Sequence, residues 1–188
     1  YLLSGEHPEA QLVIQRDGDT IRTLAGSGEP GVIHRVAWDL RHPPLQTDDE
    51  DEVVEGLARP VGPRGPFVSP GRYTVTLEAG GERATGEIVV RGDPRMPMLA
   101  DADYRARESF MMRLREARRT LQRALEAAGE DGSELRRLDR RARSLERELM
   151  GGDVQPGTLY PPTPAQLERL DALEAAVADT AAGSAPAG

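Results

Sequence analysis

The sequence contains no cysteine and no lysine. The first absence excludes thiol nucleophiles, disulfides and zinc–thiolate centres, and leaves the redox compartment open. The second excludes Schiff-base chemistry and a phosphate-loop lysine. All 24 basic residues are therefore arginine, which reads as codon bias of a GC-rich genome more than as design. Aromatic residues are only 4% of the chain. Any β core must then be built from Leu, Val and Ile around a few large side chains: Trp38, Phe67 and Tyr73. No apolar run approaches the roughly 18 residues that a membrane-spanning helix needs, and no signal peptide is visible. The chain opens at Tyr1, without Met, in what reads as the middle of a strand. It is expected to be a piece of a longer chain, so the missing signal carries little weight.

What is present divides in two. Up to about Gly92 the chain is rich in Gly, Pro, Val and Thr; from Asp93 onward it is rich in Ala, Leu, Arg and Glu. That shift predicts one β unit and one α unit in series, an α+β architecture. Residues 1–92 carry 15 acids against 9 arginines, and residues 93–188 carry 17 against 15. Neither half has the basic surplus of a general nucleic-acid binder, so no nucleic-acid partner is expected. The arginines of the second half alternate with Asp and Glu, the pattern of a solvated, salt-bridged face.

The first half reads as short strands between turn signals. Ala10–Arg16 alternates Leu12 and Ile14 on one face. Asp17-Gly18 accepts the positive φ of a tight hairpin, and Thr20–Leu24 returns. Val32–Leu40 alternates again, with Val32, His34, Val36 and Trp38 on one side. Residues 42–69 form a long irregular insertion with the acid run Asp48, Asp49, Glu50, Asp51, Glu52 and five prolines; such length marks a mobile or functional segment. Pro70-Gly71 turns into Arg72–Ala79, with Tyr73, Val75 and Leu77 on one face. Gly80-Gly81 makes a second hairpin turn, and Glu82–Arg91 closes the sheet. Several short antiparallel strands with no helical pattern between them favour a β-sandwich over residues 1–92. Residues 93–102, with Asp93-Pro94-Arg95 and Met96-Pro97, read as a stiff linker.

The second half, 103–182, reads as three helices at 103–128, 133–150 and 164–181, with a disordered tail at 183–188. Asp101 or Asp103 can cap the first. Its seam is Phe110, Leu114, Ala117, Leu121, Ala124 or Leu125, and Ala128, and it would be about 35–40 Å long. Gly129 is the expected left-handed stop. Ser133 is the expected cap of the second helix, whose Leu135, Leu138, Ala142, Leu145 and Leu149 follow a heptad. Thr163-Pro164-Ala165-Gln166 is a capping box with proline at the first helical position, and the third helix uses Leu167, Leu170, Leu173 or Ala175, and Val177. The short first connection makes the first two helices an antiparallel hairpin. Their stripes suit an intramolecular coiled pair, with an intermolecular coiled coil as the alternative.

Motifs for chemistry are missing. His7, His34 and His42 form no zinc pattern. The acid run 48–52 is a candidate for weak Ca²⁺ binding, but it lacks spaced Ca²⁺-loop geometry, and a solvated loop accounts for it. No pair of carboxylates flanks an aromatic platform as a glycosidase requires; Asp39 adjoins Trp38 in sequence and so points to the other face of a strand. Neither a nucleophile elbow nor a helix-opening glycine loop is present. The expectation is no catalytic residue and no cofactor. Trp38 reads as a core plug. Asp39 fixes the following turn through backbone N–H groups, and Tyr73 packs with its hydroxyl bonded at the rim.

Three motifs also carry a resemblance. Residues 12–24 (LVIQRDGDTIRTL), 28–41 (GEPGVIHRVAWDLR) and 65–82 (GPFVSPGRYTVTLEAGGE) resemble the immunoglobulin-like domain of the flagellar hook-capping family. The pattern is closer still to the C-terminal region of bacterial exported proteins with sortilin-like, BNR-repeat β-propellers. The residues that carry it are Trp38, Asp39 and Arg41, then Pro70, Gly71 and Tyr73, then Asp93, Pro94 and Arg95. The likeness spans roughly residues 1–180, but contains no propeller repeat. It implies an immunoglobulin- or fibronectin-III-like sandwich followed by a helical segment, an upstream propeller in the same chain as partner, and a secreted, periplasmic or cell-surface location. The expected role is a non-catalytic scaffold or interaction module, whose hairpin extends the scaffold or binds another protein. The alternatives are a protein- or glycan-binding module using residues 42–69, and an accessory part of a glycoside-hydrolase-like enzyme with its active site upstream.

Overall fold

The computed structural model describes residues 1–44, 64–128, 132–151 and 157–183. The acid run, Gly129 and residues 184–188 of the expected tail lie outside them. A four-stranded antiparallel sheet is followed by three helices.

Strands β1 (Gln11–Arg16), β2 (Asp19–Ala25), β3 (Gly71–Ala79) and β4 (Glu82–Val90) assemble in the order β2-β1-β3-β4. Both expected hairpin turns form. Asp17 and Gly18 take φ of 53° and 91°, and Gly80 and Gly81 take 59° and 84°, the left-handed pair that matches the twist of the flanking strands. A bulge between Ile14 and Gln15 shifts the β1–β2 register. Ile14, Ile21, Tyr73 and Val90 are buried on one face with Val68, and Leu24, Trp38 and Val75 pack against them. Thr23, Thr76 and Thr85 lie on the opposite face, across a shallow groove of about 510 Å³.

The segment expected as a strand over 32–40 joins no ladder. Among the described residues its only bridges are Leu2 with Ile33 and, just beyond it, Arg41 with Phe67. Its alternation survives in part: His34, Val36 and Trp38 are half-buried, while Ile33, Arg35, Ala37 and Asp39 are exposed, but Val32, expected on the inward side, is exposed as well. The period-two signal thus marks extended backbone with one face on the core, but pairing needs a neighbouring strand in register, which alternation alone does not supply.

Helix α1 (Asp101–Ala128) begins two residues before its expected start, shortening the linker. Helices α2 (Ser133–Met150) and α3 (Pro164–Gly183) complete the second half. Ser133 is a correction: it is the first helical residue, and Gly132 takes the cap position without a side-chain bond. At α3 the capping box forms as expected. The Gln166 N–H donates to Thr163 Oγ1 at 3.3 Å, and the Thr163 N–H donates to Gln166 Oε1 at 2.9 Å. One apolar core joins Phe110, Leu114 and Leu121 to Leu138, Ala142 and Leu149 and to Leu170, Leu173 and Val177. Arg107 reaches the Leu149 carbonyl and Arg118 reaches Glu146, so residues meet in opposite order along α1 and α2. Arg113 on α1 meets Asp171 and Glu174 on α3 in the same way that Arg169 meets Glu148 of α2, through bidentate or forked ion pairs.

A buried carboxylate between sheet and helix as candidate functional site

The most concentrated polar chemistry lies where the two halves meet. Glu108, on the second turn of α1, is 5% exposed. It sits at an apolar spacing, four residues after buried Tyr104 and three before buried Met111. An unpaired carboxylate there would cost several kcal/mol. The β half supplies its partners. His42 Nε2 lies 2.7 Å from Oε1. The Ser69 hydroxyl donates to Oε2 at 2.6 Å and the Ser69 backbone N–H at 3.1 Å. One arm of the Arg16 guanidinium donates to both oxygens, at 3.1 and 3.0 Å.

Its other arm donates to Ser69 Oγ and to the Tyr73 hydroxyl, both at 2.8 Å, and the Tyr73 hydroxyl donates to the Ser69 carbonyl at 2.7 Å. Arg16 also stands over the Tyr73 ring, 5.4 Å from its centroid.

The local backbone is shaped to present these groups. Asp39 Oδ1 accepts the Arg41 N–H at 3.2 Å, and Leu40 takes a φ of 58°, turning the chain after Trp38. The His42 N–H then donates to the Pro66 carbonyl and the Val68 N–H to the Leu40 carbonyl, each at 2.9 Å. Gly65 is required by this approach, because a Cβ there would overlap the His42 carbonyl. Arg41 lies over the Phe67 ring at 3.5 Å and donates to the Gly65 carbonyl at 2.8 Å. Trp38 donates its indole N–H to the Arg41 carbonyl at 3.0 Å and meets Tyr73 edge-on at 5.4 Å. The Trp38-Asp39-Arg41 and Pro70-Gly71-Tyr73 motifs therefore converge on one cluster. Asp93, Pro94 and Arg95 do not join it. Asp93 holds Arg95 through a bidentate pair and its backbone N–H, and the Asp93 N–H donates to the Tyr104 hydroxyl at 3.1 Å.

Electrostatics follow from this geometry. Burial pushes the Glu108 carboxyl up, but hydrogen bonds from His42 and Ser69 and the Arg16 charge outweigh it and hold it down, at about 2. Burial pushes the Tyr73 phenol up, against the pull of Arg16. The neighbouring Arg107 is 3% exposed and is pushed down to about 10, by burial first and Arg41 second. It donates to the carbonyls of Thr158 and Leu149 at 2.7 and 3.1 Å, closing the C-terminal end of α2.

The cluster contains a serine, a histidine and an acid, but not in a catalytic relay. The hydroxyl proton of Ser69 goes to the carboxylate, and the imidazole nitrogen faces the same carboxylate. A nucleophile needs its proton directed at a base and an open approach to its oxygen; here Ser69 is 1% exposed and His42 6%. Among the described residues no group of acids and histidines is arranged to hold a metal ion. Trp38 lines neither the groove on the outer face of the sheet nor the smaller one between α2 and α3.

Sequence reasoning missed Glu108, Arg16, Ser69 and the partner of His42. The available signal was an acid inside the helical apolar stripe defined by Tyr104, Met111 and Leu114. His34, expected on the Trp38 face, lies against Tyr1 with ring centroids 5.0 Å apart and contacts the Glu29 carbonyl.

Fold and site together define a class of architecture: a small antiparallel sheet fastened to a three-helix core by one buried carboxylate. Comparison with family models, with curated proteins and with solved structures returns no match.

Proposed function

We propose that this chain is a non-catalytic structural and interaction module, joined in the parent protein to an upstream β-propeller of the sortilin-like, BNR-repeat kind in an exported bacterial protein. In this reading residues 1–92 are a reduced immunoglobulin- or fibronectin-III-like sandwich. The four-stranded sheet is one layer, and the extended segment through Trp38 stands in for part of the other. Helices α1 and α2 form the antiparallel hairpin that stiffens it.

The observation that carries the scaffold reading is the use made of Glu108. Its donors are spent on fastening sheet to helix, and Ser69, His42 and Glu108 are almost wholly buried, so the groups with most chemical potential serve cohesion. The expected result is that the chain folds on its own and melts at the same temperature with and without Ca²⁺ or simple sugars. A ligand-induced rise in melting temperature, abolished by deleting residues 45–66, would instead establish a binding module. The parent assignment is tested by the coding sequence upstream of Tyr1: repeated S-x-D-x-G-x-x-W blocks are expected, and their absence refutes it.

A further inference from the structure

Helix α2 carries six arginines, at 136, 137, 140, 141, 143 and 147. Arg137 pairs with Glu134 and Arg143 with Asp139. Arg140, Arg141 and Arg147 have no carboxylate within ion-pair distance among the described residues. These three stand at i−4, i−3 and i+3 from Ser144, the spacings that place side chains beside one another on a helix surface. Ser144 and all three arginines are exposed. Beside them runs a groove of about 120 Å³ between α2 and α3, lined by Arg141, Ser144, Leu145, Arg169 and Leu173. Arg169 is held at its rim by a bidentate pair to Glu148, at 2.8 and 3.0 Å. Glu148, at i+4 from Ser144, is taken up by Arg169, which leaves Arg140, Arg141 and Arg147 in excess around one hydroxyl although the chain has an overall charge of −8.

From this juxtaposition we propose an oxyanion-binding site at Ser144, with Arg141 at the groove, Arg140 and Arg147 flanking the serine outside it, and Arg169 at the border, for a phosphate- or sulfate-class group. Guanidinium donors match the oxygens of a tetrahedral anion, and the serine hydroxyl adds a neutral donor at the centre. The groove is the size of a single such group, with Leu145 and Leu173 as its apolar floor. The anion could be free or displayed on a lipid headgroup; both present the same oxygens. The site is separate from the Glu108 cluster and stands or falls apart from the scaffold reading.

The test is a titration of the whole chain with sodium phosphate against sodium chloride at matched ionic strength, followed by amide resonances. The expected result is saturable shifts centred on Ser144, Arg141 and Arg169 with phosphate only. The exposed double variant Arg141→Gln/Arg147→Gln should weaken the effect about ten-fold, as loss of charge-assisted hydrogen bonds does. Arg91→Gln on the sheet should leave it unchanged. Co-sedimentation with phosphatidylglycerol vesicles, against phosphatidylcholine vesicles, distinguishes the sources. Retention on the former that the double variant loses assigns the anion to a lipid, and phosphate shifts without retention assign it to a free anion. Shifts that are identical with chloride or that persist in the double variant, or vesicle retention that the double variant keeps, overturn the proposal.

Discussion

The two halves of the molecule are held together by different physics. The helical half has a continuous apolar seam, in which Phe110, Leu114, Leu121, Leu138, Leu149, Leu170 and Leu173 are all but inaccessible to water. The sheet half buries less, in two small clusters: Ile14, Ile21, Val68, Tyr73 and Val90 in one, and Leu3, Ala10 and Ala79 in the other. Strand β4 is exposed along nearly its whole length, with Ile88 and Val89 in contact with solvent. A helical bundle of this kind stands on its own core. A small sheet with one thin apolar face does not, and here its missing cohesion comes from a carboxylate on the neighbouring helix. The difference teaches that the polar cluster is a strut of the β half rather than an ornament of the α half.

That comparison can be broken by substitution. Glu108→Ala leaves Arg16 and His42 facing a void and should cost about 3–5 kcal/mol, as removal of one partner from a buried ion pair does. The loss is expected to concentrate in β1 and β3, read as a fall in amide-exchange protection there while α2 and α3 keep theirs. Leu121→Ala, at 0% exposure in the helical core, should cost about 2–5 kcal/mol through the cavity it leaves, with the opposite distribution of protection.

Acid sharpens the contrast. The Glu108 carboxyl titrates at about 2 when folded and near 4.3 when unfolded. The unfolded chain therefore binds this proton first. The stabilisation is complete above the unfolded value and drains away as pH falls from about 4.5 through 2. Glu108→Gln should lack that part of the acid sensitivity, measured as urea midpoints between pH 5 and 2.5. The smallest effect is expected at Arg113, whose forked pair with Asp171 and Glu174 is partly open to solvent; Arg113→Gln should lower stability by less than about 1 kcal/mol, and less again in high salt.

Much of the outline was legible from the residues. Asp17-Gly18 and Gly80-Gly81 announced their hairpins, because few residues accept a left-handed backbone, and Thr163 with Gln166 announced the start of α3. The leucine seams of α1 and α2 were readable from spacing alone. Less legible was pairing: the alternation over 34–39 foretold a half-buried face but not the missing ladder. The Glu108 cluster was the least legible part. Its members come from positions 16, 42, 69, 73 and 108, and a long-range hydrogen-bond network leaves no local pattern. Only the acid in the stripe of α1 hinted that a counter-charge must arrive from elsewhere in the fold. Asp39 could be read as a turn former, but its consequence, the delivery of His42 to Glu108, could not.

Trp38 is the only tryptophan in the chain, and it packs in the sheet core, whereas circular dichroism at 222 nm reports on the helices. Urea unfolding followed by both signals therefore tests the strut most directly. The two curves are expected to coincide for the native chain and to separate in Glu108→Gln, with the fluorescence midpoint falling below the dichroism midpoint. Coincident curves in the variant, at an unchanged midpoint, would show that the carboxylate does not hold the sheet to the helices.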